Sequence, residues 1–190
     1  MSGKTTLVWR IIENAAAIIE PPVQKFVYCY GEYQDVFAEF AHKVEFIKGL
    51  PSQDMFTGHQ PRLLIIDDLM VESNSNNETA LMFTRTAHHK NLSVLYLTQN
   101  IFFGSKHNRT IQLNTHYLFL FKNPRDTAQI FYLARQIFPT NSKFLVESYI
   151  DSTKEPYSYL LIDLKPTTPE ELRVRSGLFK EDTIFVYRPK

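Results

Sequence analysis

The chain has 190 residues, 44% of them hydrophobic and 22% charged, with a formal charge of +1. Length and balance suit one domain with a substantial core, and they exclude wholesale disorder and any global electrostatic signature of a nucleic-acid binder. The lone Cys29 can make neither an internal disulfide nor a cysteine-rich zinc site, no apolar run approaches the roughly 20 residues that span a bilayer, and no apolar block marks a secretory leader.

Along the chain, Leu7, Val8, Ile11, Ile12, Ala15, Ala16 and Ile19 recur at helical spacing, which predicts a helix over 5–19 stopped by Pro21-Pro22. Residues 25–30 (KFVYCY) read as a buried strand closed by Gly31, 34–42 as a helix and 44–47 as a short strand. The run 62–66 (RLLII) is a fully apolar strand leading straight into Asp67-Asp68. Polar residues 72–77 predict a loop, and 78–88 a helix. A second apolar strand, 93–97 (SVLYL), ends in Thr98-Gln99-Asn100. A strand over 116–121 turns at Lys122-Asn123-Pro124 into a helix over 126–137, followed by a helix over 141–149 and late strands over 158–162 and 184–187. Strands alternating with helices, several of them apolar throughout, predict one α/β domain over 1–190, in three layers around a mostly parallel sheet. Such sheets take ligands at the carboxyl ends of their strands. The aromatic share of 14% is read as a core rich in Phe and Tyr, not a base-stacking surface.

Three groups of residues carry chemistry. Ser2-Gly3-Lys4-Thr5-Thr6, just before the first helix, is the last half of a P-loop, GxxxxGK[ST]. Gly3 lets backbone N–H groups approach phosphate at a helix N-terminus, Lys4 reaches the terminal phosphates, and the Thr5 hydroxyl ligates magnesium, with Thr6 completing the cradle. Two acids at the tip of a buried strand are costly unless they meet a cation, so Asp67 and Asp68 form a Walker B pattern. Asp67 is assigned to magnesium and Asp68 to polarising the attacking water of ATP hydrolysis. Gln99, at the end of the next apolar strand, is suited to hydrogen-bond both that water and the γ-phosphate. Each motif has a plainer reading: a chance GKT, a turn-capping Asp-Asp, a polar strand end.

Together these motifs form the pattern of the FtsK–HerA branch of P-loop ATPases. The stretches 84–100, 109–114 and 121–126 make the chain resemble, from Gly3 to Lys190, the genome-packaging ATPases of large DNA viruses and Polinton (Maverick, adintovirus-like) elements. The resemblance implies a motor that spends ATP, with Mg2+, to drive double-stranded DNA into a capsid. It further implies a homo-oligomeric ring, sequence-independent DNA contact, capsid proteins as partners, no membrane, and work in the host nucleus or cytoplasm or in the virion. Members of that family carry an apolar first strand and a GPSG-like lead before the Gly3-Lys4-Thr5 equivalent, where this chain has Met1 and Ser2. The expectation is therefore a truncated member, lacking a central first strand and binding nucleotide weakly. A trans-acting arginine finger has three candidates, Arg85 first, then Arg125, with Arg109 third, and a structural role competes for each. His88-His89 reads as a pair at a helix end, not a metal site, because adjacent residues diverge and no third ligand is evident. Two rival functions stand beside the motor: a catalytically dead interaction domain, and a P-loop ATPase of another job such as a helicase loader.

Overall fold

The structure, a computed structural model, describes residues 3–56, 58–69, 80–81, 83–84, 90–102 and 106–189. It is of mixed α/β class and divides into two compact units, one of residues 12–114 and the other of 1–11 together with 115–190. The first helix, α1 (Lys4–Ile18), contributes to both. Leu7, Val8, Ile11, Ile12 and Ala15 are buried, as their spacing requires, and the helix ends ahead of Pro21-Pro22.

In the unit of residues 12–114, four strands form an all-parallel sheet: β1 (Lys25–Tyr30), β2 (Val44–Lys48), β3 (Arg62–Asp67) and β4 (Leu92–Leu97), in the order β2-β1-β3-β4. β1 and β3 are the inner strands and are buried on both faces, which is why KFVYCY and RLLIID lack polar alternation. One face collects Val27, Cys29, Leu64, Ile66, Leu69 and Phe56. The other holds an aromatic cluster in which Phe37 stacks on Phe46, centroids 4.6 Å apart, with Tyr28 and Tyr30 against it. The helix expected over 34–42 is reduced to a single turn, α2 (Phe37–Phe40), whose purpose is to deliver Phe37 to that cluster. Lys43 donates to the carbonyl of Ile12 at 2.8 Å and lies over the Phe26 ring. A short helix, α3 (Lys106–Leu113), buries Ile111 beside Ala80 and Phe83.

In the other unit the strands pair differently from the expected parallel pattern. β5 (Tyr117–Phe121), β6 (Tyr159–Asp163), β7 (Val174–Ser176) and β8 (Phe185–Val186) form an antiparallel sheet in chain order. Helices α4 (Ala128–Ile137) and α5 (Ser142–Ser152) pack on each other, and α5 packs on β6. The Tyr149 hydroxyl donates to the carbonyl of Phe121 at 3.0 Å and accepts from the Asn123 amide at 2.9 Å, which pins the turn after β5. Most of the expected helix over 78–88 and the whole 72–77 loop lie outside the described residues.

Candidate active site

Parallel register brings the carboxyl ends of β1, β3 and β4 level. Asp67 pairs with Tyr30 on one side and Leu97 on the other, so Asp68 and the Thr98-Gln99-Asn100 segment emerge from adjacent strands at one edge. Asp67 is half-buried, while Asp68 and Gln99 are exposed. The described residues contain no helix long and apolar enough to cross a membrane.

Asp67 is held by a residue that the sequence reading missed. The Tyr28 hydroxyl donates to Asp67 Oδ2 at 2.6 Å. Burial, and after it the hydrogen bond and charge of Asp67, push the Tyr28 phenol far up from its ordinary value, so it stays a protonated donor. No sequence signal could have found it, because a tyrosine inside KFVYCY looks like core until the register is known.

Asp68 adopts φ 55°, a left-handed conformation that L-residues avoid. The chain bends there beside Gly31, where a Cβ would stand 3.4 Å from the Asp68 carbonyl oxygen. Asp is one of the few non-glycine residues that tolerate this backbone, and such outliers collect at functional sites. Beyond β4, Thr98 Oγ1 donates to the Asn100 carbonyl at 2.9 Å and accepts from the Asn100 amide at 3.2 Å, while Asn100 Oδ1 takes the Phe102 amide at 2.8 Å. Thr98 and Asn100 thus build the turn, and Gln99 is the side chain it presents outward. Gln112 of α3 donates to the carbonyl of Ile101 and tethers the segment that follows.

The P-loop half, Gly3 to Thr6, belongs to the other unit. Gly3 has φ 88°, and its carbonyl accepts the first helical bond, from Leu7, at 3.0 Å. A Cβ at Gly3 would lie 3.0 Å from Tyr157 Cα and 3.1 Å from Phe121 Cε1. The glycine therefore has a packing reason independent of any phosphate. Lys4 and Thr5 are half-buried, Thr6 is exposed, and the first turn of α1 carries no acidic residue, so the positive end of the helix dipole is uncancelled within it.

Of the arginine candidates, Arg109 is exposed on α3 and Arg125 is exposed on the turn pinned by Tyr149, its amide donating to Asn123 Oδ1 at 3.3 Å. Arg85, His88 and His89 lie outside the described residues. Cys29 is buried and its thiol is pushed up to about 12, mainly by burial, which makes it inert as a nucleophile.

Among the described residues no group of three or more His, Cys, Asp or Glu side chains could enclose a metal ion. Magnesium does not require one: it takes one or two carboxylates, a hydroxyl, water and substrate phosphates. Two carboxylates at one strand tip, one of them oriented by a buried phenol, fit that donor set. A cavity of about 130 Å³ lined by Pro21, Arg62 and Asn91 lies at the opposite, amino end of β3, away from these acids. No protein-family model matches the sequence, and no curated protein or solved structure is significantly similar to it.

Proposed function

We propose that the chain is a P-loop ATPase of three-layer α/β fold whose ring of identical copies uses ATP hydrolysis to drive double-stranded DNA, as its resemblance to packaging motors implies. The observation that carries this reading is the strand-tip cluster of Asp67, Asp68 and Gln99 at the carboxyl edge of an all-parallel sheet. A buried strand ending in a half-buried acid and then an exposed one, the second in a left-handed conformation, is well suited to a cation and a polarised water.

In this reading, which takes these roles from the sequence motifs alone, Thr5 and Asp67 would hold magnesium, and the ion would neutralise charge on the phosphate oxygens. Lys4 and the N–H groups of Gly3 to Thr6 bind the phosphates. Asp68 takes the proton-accepting side of the attacking water, and the Gln99 amide bridges that water and the γ-phosphate. Arg85, Arg109 or Arg125 of a neighbouring copy stabilises the transition-state charge. Capsid proteins and the viral or transposon setting come from the resemblance alone.

The test is turnover and nucleotide binding at saturating ATP, with a complete P-loop and its preceding strand joined ahead of Gly3. Asp67→Ala and Lys4→Ala are expected to abolish magnesium-dependent binding. Asp68→Asn is expected to keep binding and lower turnover by about 100-fold or more, the usual share of a general base. Unchanged rates in both aspartate variants would remove the Walker B assignment, whereas no turnover in the unaltered protein would favour the interaction-domain rival.

A further inference from the structure

Tyr28 sits mid-strand in β1 with 0% exposure, its ring lying 5.2 Å from Phe37 and 5.6 Å from Phe46 between centroids. For packing alone, phenylalanine would fill this place without burying a hydroxyl that must then find a partner. The backbone pairs Tyr28 with Ile65, so the phenol reaches diagonally along β3, two residues on, to meet Asp67. The 2.6 Å separation is that of a strong hydrogen bond to a carboxylate. Because the ring is clamped by aromatic neighbours, the hydroxyl is fixed, and the carboxylate it holds is fixed with it.

We propose that Tyr28 is a positioning residue, which from a rigid place in the core orients the Asp67 carboxylate to receive the magnesium of a metal–nucleotide complex. The proposal rests on the metal assignment of Asp67 made above. A side chain at a strand end otherwise samples several rotamers, and ordering it in advance removes that cost from binding. The magnitude expected for such a supporting partner is about 10–100-fold in metal affinity.

The experiment measures binding of a non-hydrolysable ATP analogue to the full chain by calorimetry across a magnesium series. Tyr28→Phe is expected to raise the magnesium needed for half-maximal binding about tenfold, leaving affinity in EDTA unchanged. In an Asp67→Asn background the same change is expected to have no further effect, because the two residues act as one unit. A lower Tm with an unchanged magnesium requirement, or an effect that persists in the Asp67→Asn background, would overturn the proposal and leave Tyr28 as packing. If Asp67→Asn itself leaves the magnesium requirement unchanged, the metal assignment fails first and the role of Tyr28 falls with it. A readout independent of the stability of Tyr28→Phe is 3-fluorotyrosine placed at position 28. Its fluorine resonance is expected to shift on adding magnesium and analogue to the otherwise unaltered protein, and to stay still in Asp67→Asn. A resonance that stays still in both overturns the proposal.

Discussion

Asp68 and Gly3 both occupy left-handed backbone, at φ 55° and 88°, and the sequence assigned chemistry to each. For Asp68 the conformation itself can be tested. Alanine cannot adopt it without a penalty of about 1–2 kcal/mol, whereas glycine can. Asp68→Gly is therefore expected to be more stable than Asp68→Ala by about 1 kcal/mol in urea denaturation, while both lose turnover. Equal stability would mean that the turn relaxes out of the left-handed region in solution. Alanine in place of Gly3 meets Tyr157 Cα at 3.0 Å, so Gly3→Ala is expected to destabilise by about 2 kcal/mol or more whether or not phosphate binds at this helix end. Lys4→Ala, which leaves that packing intact, is the informative substitution for nucleotide affinity. The acid pair was legible because an apolar strand ending in two carboxylates is conspicuous in one dimension. Tyr28 was not, since its meaning depends on a diagonal across two strands 39 residues apart.

The elements that could be read from the sequence were those with strong apolar patterning. The bounds of β1 match the expectation, and α1, β3 and β4 differ by a single residue at either end. The pairing of the later strands was not legible, because YLLID is buried at every position and reads the same in a parallel or an antiparallel sheet. β7 has only three residues and is charged: Arg173, just before it, donates to the carbonyl of Asp163 at 2.8 Å, and Arg175, within it, pairs with the Asp163 carboxylate at 3.3 Å. α3 escaped because KHNRTIQL offers little apolar period. An element-scale contact that the sequence also hid is the anchoring of α1 by Arg10, which bonds Asp182 at 2.8 Å and Glu181 at 2.9 Å and lies 4.1 Å over the Phe179 ring. Burial tends to raise the Asp182 carboxyl, but the bonds from Arg10 and from the Leu178 and Phe179 amides outweigh it and hold it below its ordinary value. A carboxyl depressed in the folded state stabilises above its unfolded pKa, about 3.9, and loses that contribution as pH falls through the folded value. Arg10→Gln is accordingly expected to cost about 1 kcal/mol at pH 7, a figure kept small by partial exposure, and less at pH 2, as read by paired urea melts. A cost independent of pH would assign Arg10 to packing on Phe179 instead.

For the whole molecule, a formal charge of +1 leaves no long-range attraction to DNA, so the proposed contact with duplex rests on a local arrangement of cations. The proposed ring would repeat that arrangement, and it would bring an arginine of one copy to the nucleotide of the next. Arg109 and Arg125 are both exposed, on a helix and on a pinned turn, which suits either for reaching a neighbour. A site with its metal and water-positioning residues but no finger hydrolyses slowly, because transition-state charge is incompletely balanced, and a finger contributes about 10³–10⁵ in rate. ATPase activity is thus expected to rise with protein concentration and with added duplex, independently of sequence, and to fall as salt displaces phosphate contacts. Mixing Arg85→Ala with Lys4→Ala subunits separates the candidates. If Arg85 acts in trans, interfaces that join an intact finger to an intact Lys4 recover partial activity, above the slow rate of Arg85→Ala alone and the inactivity of Lys4→Ala alone. Recovery with Arg125→Ala or Arg109→Ala in place of Arg85→Ala keeps the motor and moves the finger. No recovery with any of the three, together with a rate indifferent to concentration and duplex, would count against a ring and leave the acid pair to a different task.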